Sequence, residues 1–297
     1  MEIDRNSVLL DDNTATQVAS HSETAPSPTP TQPSSTSSYY LDAMGETEVN
    51  KLVRSSRPEL IVLLGLNNFG KSTFAGSLYQ LLRSRGRIGN YIFIDSETFI
   101  GWERRVYLRH IESEGPSTTK RTIRGENAFL HLKMQEVNTK ENFEIVISDS
   151  SGEVYRDYIS NNELIGRDKA IAQADKLLLF VDSTKLYNRS YRSFADDYTS
   201  LMRRLKEKSK LPSHAIVYLI FNKIDLKDEK DKSRTDHEEV IKKIVQDAFV
   251  GLEIIDEYLD SKSLDNNQHL EDFLAKVLTP RNNLQEDTII DWVNNDI

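Results

Sequence analysis

From about residue 47 the chain alternates short apolar runs with stretches whose apolar residues recur at helical spacing. Leu60–Leu64 is unbroken and short, as a strand buried on both faces requires. Lys71–Arg85 sets Phe74, Leu78 and Leu81–Leu82 on one helical face and stops at Gly86. Tyr91–Asp95 predicts a short strand, and Phe99, Trp102, Val106 and Tyr107 mark an amphipathic helix. Leu130, Leu132 and Met134 alternate with His131 and Lys133. A turn at Asn138–Asn142 and an apolar Phe143–Ser148 follow, which predicts a hairpin. Lys176–Val181 and Ala215–Phe221 predict buried strands on either side of a helix over Ser190–Lys208. A helix over Asp236–Val250 closed by Gly251, a weak strand at Tyr258–Ser261 and a helix over Leu270–Leu278 complete the pattern. Strands alternating with helices need crossover connections, so the expected fold is α/β with a mainly parallel sheet and one antiparallel hairpin strand.

Residues 1–46 break this pattern. Ser20–Ser38 is almost entirely Ser, Thr, Pro, Ala and Gln, with too little apolar surface to offset ordering entropy. The segment is expected to be a disordered acidic tail, followed by a domain over 47–280 and a C-terminal extension over 281–297. In that extension Ile289, Ile290 and Trp292 either dock on the domain or present a partner-binding peptide. The tail holds seven acids against one base, a charge of −6 out of the net −9, which leaves only −3 for the rest. Neither part is a basic footprint for nucleic acid. No apolar run suits a membrane helix, and the N-terminus lacks a secretory pattern. The chain has no cysteine, which fits a reducing, cytoplasmic setting, and its six histidines are too scattered for a zinc site.

Three motifs fall at the carboxyl ends of these strands. Gly65-Leu66-Asn67-Asn68-Phe69-Gly70-Lys71-Ser72 matches G-x-x-x-x-G-K-[ST] between a strand and a helix, the setting a P-loop requires. Its successive N–H groups and the helix N-terminus would face phosphates. Lys71 supplies a point charge for the β- and γ-phosphates, Ser72 a hydroxyl for Mg²⁺, and Thr73 follows in the same turn. Asp149-Ser150-Ser151-Gly152 directly follows Phe143–Ser148. There Asp149 would face Mg²⁺ and the Gly152 N–H the γ-phosphate, and loss of that bond would release the next loop. Asn222-Lys223-Ile224-Asp225 ends the strand Ala215–Phe221. The Asp225 carboxylate would accept two hydrogen bonds from guanine, which adenine does not offer, so GTP and GDP are the expected ligands. Asn222 would brace the loops, the Lys223 stem would cover the base, and Ser261 and Lys262 would complete its pocket. A threonine before the hairpin should contribute to Mg²⁺ and γ-phosphate binding. Thr118, Thr119 and Thr122 are available, with Thr122 favoured by its place before the strand.

In this order the motifs resemble the translation-factor-related and Ras-like (TRAFAC) class of P-loop GTPases over about residues 58–280, which implies a three-layer G domain. The resemblance implies Lys71, Thr122 and Gly152 as catalytic residues. It also implies GTP hydrolysis in a nucleotide-dependent switch, with loops around Gly115–Arg124 and Ser150–Ile165 that respond to the γ-phosphate. Trp102, Arg104–Arg105, Arg121-Thr122 and the Glu153 that follows Gly152 resemble the bacterial double-GTPase (DO-GTPase) families, associated with conflict or defence operons. Ras-like enzymes place a Gln where Glu153 stands, so Glu153 either orients water or is structural, and turnover is slow or negligible without a partner. That partner is not identified by the sequence. Asn68 is similar to the P-loop asparagine of potassium-stimulated GTPases, which implies either a K⁺ ligand or a turn-stabilising amide. Arg121 is either an internal arginine finger or a solvated charge.

Overall fold

A computed structural model describes residues 41–107, 128–187, 191–208, 211–226, 233–264 and 267–281. All fall within one compact unit, Ser37–Ile297. The favoured Thr122, its alternatives Thr118 and Thr119, Arg121 and the Ile289–Trp292 segment lie outside the described residues.

Among the described residues eight strands form one sheet: β1 Glu59–Leu64, β2 Arg87–Ile88, β3 Tyr91–Asp95, β4 Phe129–Glu136, β5 Asn142–Ser148, β6 Lys176–Asp182, β7 Ile216–Asn222 and β8 Glu253–Leu259. Their order is β2-β3-β4-β5-β1-β6-β7-β8. From β5 to β8 every pairing is parallel. The pairings among β2, β3, β4 and β5 are antiparallel, so the antiparallel group is larger than the single hairpin strand expected. β1 and β6 are buried along their whole length, which is why their sequences are continuous apolar runs. β1 lies between β5 and β6: the connection after β1 runs to β2 on one side of it and the crossover after β5 runs to β6 on the other, which opens a crevice at the strand carboxyl ends.

The helices are α1 Glu46–Ser55, α2 Lys71–Arg85, α3 Phe99–Val106, α4 Gly152–Ser160, α5 Asn162–Arg167, α6 Lys169–Ala172, α7 Tyr191–Lys208, α8 Ser233–Ala248 and α9 Gln268–Leu278. α2 matches its predicted bounds. Four helices were not predicted. α1 is fixed by Glu48, whose side chain accepts the Gly45 N–H, and it buries Val49 and Leu52. Ala43 and Met44 are also buried, and Met44 pairs with Phe129, so packing begins ahead of residue 47. The segment expected as a responsive loop at Ser150–Ile165 is helical in α4 and α5, with α6 close behind. Ser151, Asn161 and Asp168 cap these three short helices in turn.

The last strand is Glu253–Leu259 rather than Tyr258–Ser261. Its carboxylates hid it: Lys242 pairs with Asp256 at 3.2 Å and Lys276 with Glu257 at 2.8 Å, so charges sit on an edge strand beside buried Leu259.

Candidate nucleotide site

The P-loop turns from β1 into α2 with Gly70 as its last residue. Gly70 has φ 94°, and a Cβ there would lie 2.0 Å from Asn222 Nδ2, so both backbone angle and space require glycine. Asn68 is exposed and left-handed at φ 66°. The Phe69 ring points inward against Phe194, 5.8 Å between centroids, so only its backbone faces the crevice.

Lys71 is buried and donates to the carbonyls of Gly65 at 2.7 Å and Leu66 at 3.3 Å. Its ammonium lies 5.4 Å from the centre of the Tyr155 ring, and the Tyr155 hydroxyl is tied to the Leu63 carbonyl at 2.8 Å. Burial lowers the Lys71 pKa to about 8, although the Asp149 carboxylate opposes the fall. Ser72 Oγ donates to Asp149 Oδ1 at 2.9 Å. The other carboxylate oxygen, Oδ2, accepts from Arg105 Nε, also at 2.9 Å.

Gly152 opens α4 against the P-loop. A Cβ there would lie 2.4 Å from Asn67 Oδ1, 2.5 Å from Asn67 N and 2.6 Å from Leu66 C, so the two loops touch backbone to backbone. Glu153 stands in the first turn of α4, where its N–H donates to the Ser151 cap and its charge complements the helix N-terminus.

The base side is joined by one amide. Asn222 Nδ2 donates to the Phe69 carbonyl at 2.9 Å, and Asn222 Oδ1 accepts from Ser261 N at 3.2 Å and Ser261 Oγ at 2.8 Å. Gly70, Thr73, Asn222, Asp225, Ser261 and Lys262 line one cavity of ≈ 180 Å³. Asp225 is exposed at its mouth. Burial, and then the neighbouring Asp260 carboxylate, raise its pKa above the ordinary carboxylate value. Lys223 also lines the cavity, and its ammonium is held by Asp182 at 2.7 Å.

The described residues singled out for phosphate, Mg²⁺ and base therefore lie at or just beyond the carboxyl ends of β1, β5, β7 and β8, at one end of the sheet, whereas Trp102, Arg104 and Arg105 lie on α3. Sequence reasoning gave no role to three neighbours: Arg105 on Asp149, Tyr155 behind Lys71 and Asp182 on Lys223. Arg105 did carry a signal, since it stands four residues after Gly101 and three after Trp102, on the buried stripe of α3.

The oxygens suit Mg²⁺. Ser72 and Asp149 offer oxygen donors side by side at a P-loop, the hard-ligand chemistry Mg²⁺ prefers when phosphates complete its shell. Among the described residues no group of three or more His, Cys, Asp or Glu could hold a metal without such help. None of the described helices is long and apolar enough to cross a membrane.

Among curated proteins none matches the chain. Solved structures with a similar fold include the bacterial selenocysteine-specific elongation factor EF-Sec, at 14% identity over 75% of this chain and 29% of that one, TM-score 0.35. Another is the elongation factor SelB from Methanococcus maripaludis, at 13% identity over 77% and 35%, TM-score 0.39. A third is the small GTPase Arl6 from Trypanosoma brucei, at 12% identity over 74% and 96%, TM-score 0.35. The chain thus spans about a third of either elongation factor. The Double-GTPase 2 family model matches residues 59–279, most of the chain, and the protein therefore belongs to the Double-GTPase 2 family of P-loop GTPases.

Proposed function

We propose that the protein binds GTP with Mg²⁺, hydrolyses it to GDP and phosphate, and acts as a nucleotide-dependent switch. The observation that carries this reading is the Asn222 amide. It ties the P-loop to the loop after β8 and lies beside Asp225 in one cavity, which suits a base held next to a phosphate cradle. In this reading the Asp225 carboxylate accepts the two guanine N–H donors, and the Lys223 stem, fixed by Asp182, covers the base. Lys71 leaves the Gly65 and Leu66 carbonyls for the phosphates, whose charge restores its full protonation. The Gly152 N–H, held against the P-loop, bonds the γ-phosphate. Ser72, Asp149 and Thr122 would hold Mg²⁺, which offsets charge on the transferred phosphoryl group when bound.

Calorimetry with non-hydrolysable GTP and ATP analogues, together with phosphate release, tests the reading. GTP should bind at least about 10³-fold more tightly than ATP, as expected when the wrong base would cover the Asp225 carboxylate and leave it unpaired. Equal affinity for ATP defeats the guanine assignment. Asp225→Asn should weaken GTP and favour xanthosine nucleotides. Glu153 favours a second reading, a GTP-binding scaffold with negligible turnover, because it occupies a helix-start position where its charge complements the macrodipole. Retention of intact GTP for hours at 37 °C would select that reading. The finer part of the proposal is that the switch serves a bacterial conflict system. Deletion of the gene should then change survival of the native host on phage challenge, and unchanged survival counts against it.

A further inference from the structure

Arg105 touches the carboxylate that the proposed Mg²⁺ site uses, and the inference about it rests on that reading. Its helix is firmly anchored. Trp102 stacks on Tyr79 with centroids 5.4 Å apart and donates through Nε1 to the His131 carbonyl at 2.9 Å. Glu103 accepts from the Tyr79 hydroxyl at 2.7 Å and pairs with Arg83 at 3.2 Å. α3 is thereby held to α2 and β4, and Arg105 is aimed from a fixed base. Its Nε donates to Asp149 Oδ2 at 2.9 Å and its Nη1 to the Gly101 carbonyl at 3.0 Å. The Arg105 side chain is 9% exposed and that of Asp149 is 0% exposed. Arg104 differs, being exposed and paired with Asp42.

An arginine keeps its charge even when buried, and a buried pair is only weakly screened by salt. The Asp149 carboxylate is therefore divided, with Oδ1 beside the Ser72 hydroxyl and Oδ2 carrying a guanidinium. A cation on one oxygen lowers the attraction of the whole carboxylate for a second cation. We infer that Arg105 is a positioning residue that offsets the Asp149 charge and so sets the Mg²⁺ concentration at which the protein retains guanine nucleotide.

The test measures release of a fluorescent GDP analogue from the full chain across a Mg²⁺ titration, with Mn²⁺ binding to the GDP complex by electron paramagnetic resonance as a second readout free of turnover. In Arg105→Gln the Mg²⁺ midpoint should fall about tenfold, the scale of one charge-assisted hydrogen bond, with Mn²⁺ binding tightened to match. Arg105→Lys keeps the charge and should stay within about threefold of the wild type. An unchanged midpoint in Arg105→Gln overturns the inference. So does a raised midpoint, which would mean that Arg105 only orients the carboxylate. Because removal of one partner of a buried pair can unfold a protein, a wild-type measurement stands beside these. The Arg105 Nε–H resonance, assigned by its loss in Arg105→Lys, should shift when Mg²⁺ is added to the GDP complex. A resonance unmoved at saturating Mg²⁺ also overturns the inference. Failure of the wild type to bind guanine nucleotide, or Mg²⁺-independent release, instead sinks the GTP–Mg²⁺ reading and this inference with it.

Discussion

A methyl group at position 70 should break the joint between the P-loop and the base pocket. Gly70 has φ 94° and ψ 12°, a conformation that costs an L-residue roughly 1–2 kcal/mol. The new Cβ would stand 2.0 Å from Asn222 Nδ2, inside any allowed contact, and a tight 3.3 Å from Cγ. Asn222 is buried and its amide is held on both sides, so it has little room to retreat. Rotation would give up its bond to the Phe69 carbonyl and strand a buried donor, a loss of about 1–3 kcal/mol. Gly70→Ala should therefore destabilise the nucleotide-free domain by about 3 kcal/mol and lower its Tm by roughly 6–12 °C.

The same geometry predicts how that loss divides. In an Asn222→Ala background the methyl meets no amide, and Gly70→Ala should retain only its backbone cost. Urea unfolding of the wild type, both single variants and the double variant gives the coupling energy, expected near 1–2 kcal/mol. If the two substitutions add to within about 0.5 kcal/mol, the clash is not what makes glycine necessary, and the reasoning fails.

Two further predictions concern the support of the site. Trp102→Ala empties the buried slot between Tyr79 and β4 and should cost about 3–5 kcal/mol, read as a lower urea midpoint with intact far-ultraviolet dichroism at zero denaturant. Glu59, at the opposite end of β1, has its pKa raised from 4.5 to about 7 by burial, although Lys176 at 2.5 Å opposes the shift. The folded chain thus keeps a proton that the unfolded chain releases between those values, so this group's contribution is complete below pH 4.5 and is lost as pH rises through about 7. Glu59→Gln should remove up to about 3 kcal/mol of that fall, seen as a flatter difference in urea midpoint across the window.

What was legible in the sequence followed burial and turn chemistry. β1 and β6 read as strands because nothing polar interrupts faces that are both covered, and α2 had a glycine at each end. The P-loop, Asp149-x-x-Gly152 and Asn222-x-x-Asp225 were visible because each needs fixed residue types at fixed spacing. Elements held by charge or by partners distant in sequence were hidden. β8 has three acids among seven residues, and their pairing with Arg281, Lys242 and Lys276 exists only in the folded chain. α5 and α6 are too short for periodicity to show, and for these two and α4 the caps were an available signal. Arg105 was noticed as a residue type, but its contact with Asp149 joins positions 44 apart, a separation no local pattern reports.

The two halves of the site differ in which of their bonds a ligand must break, and this decides where a response to nucleotide must begin. On the base side Asn222 joins two loops through neutral hydrogen bonds made by its own amide, which a ligand entering the cavity has no need to break. On the phosphate side the fastenings are ionic or backbone contacts. Lys71 lies on P-loop carbonyls, Arg105 holds Asp149, and Gly152 touches Asn67. A polyanion with its cation competes directly for Lys71 and Asp149, so in the proposed switch these bonds must rearrange while the Asn222 bridge persists. Besides α2, which starts at Lys71, two helices leave that half of the site. α4 starts at Gly152, and α3 carries Arg105 while clamped to α2 through Tyr79 and Trp102. Any displacement read elsewhere on the protein should therefore travel through α3 and α4, and amide exchange in these two helices should respond to the γ-phosphate before exchange in the loop after β8 does.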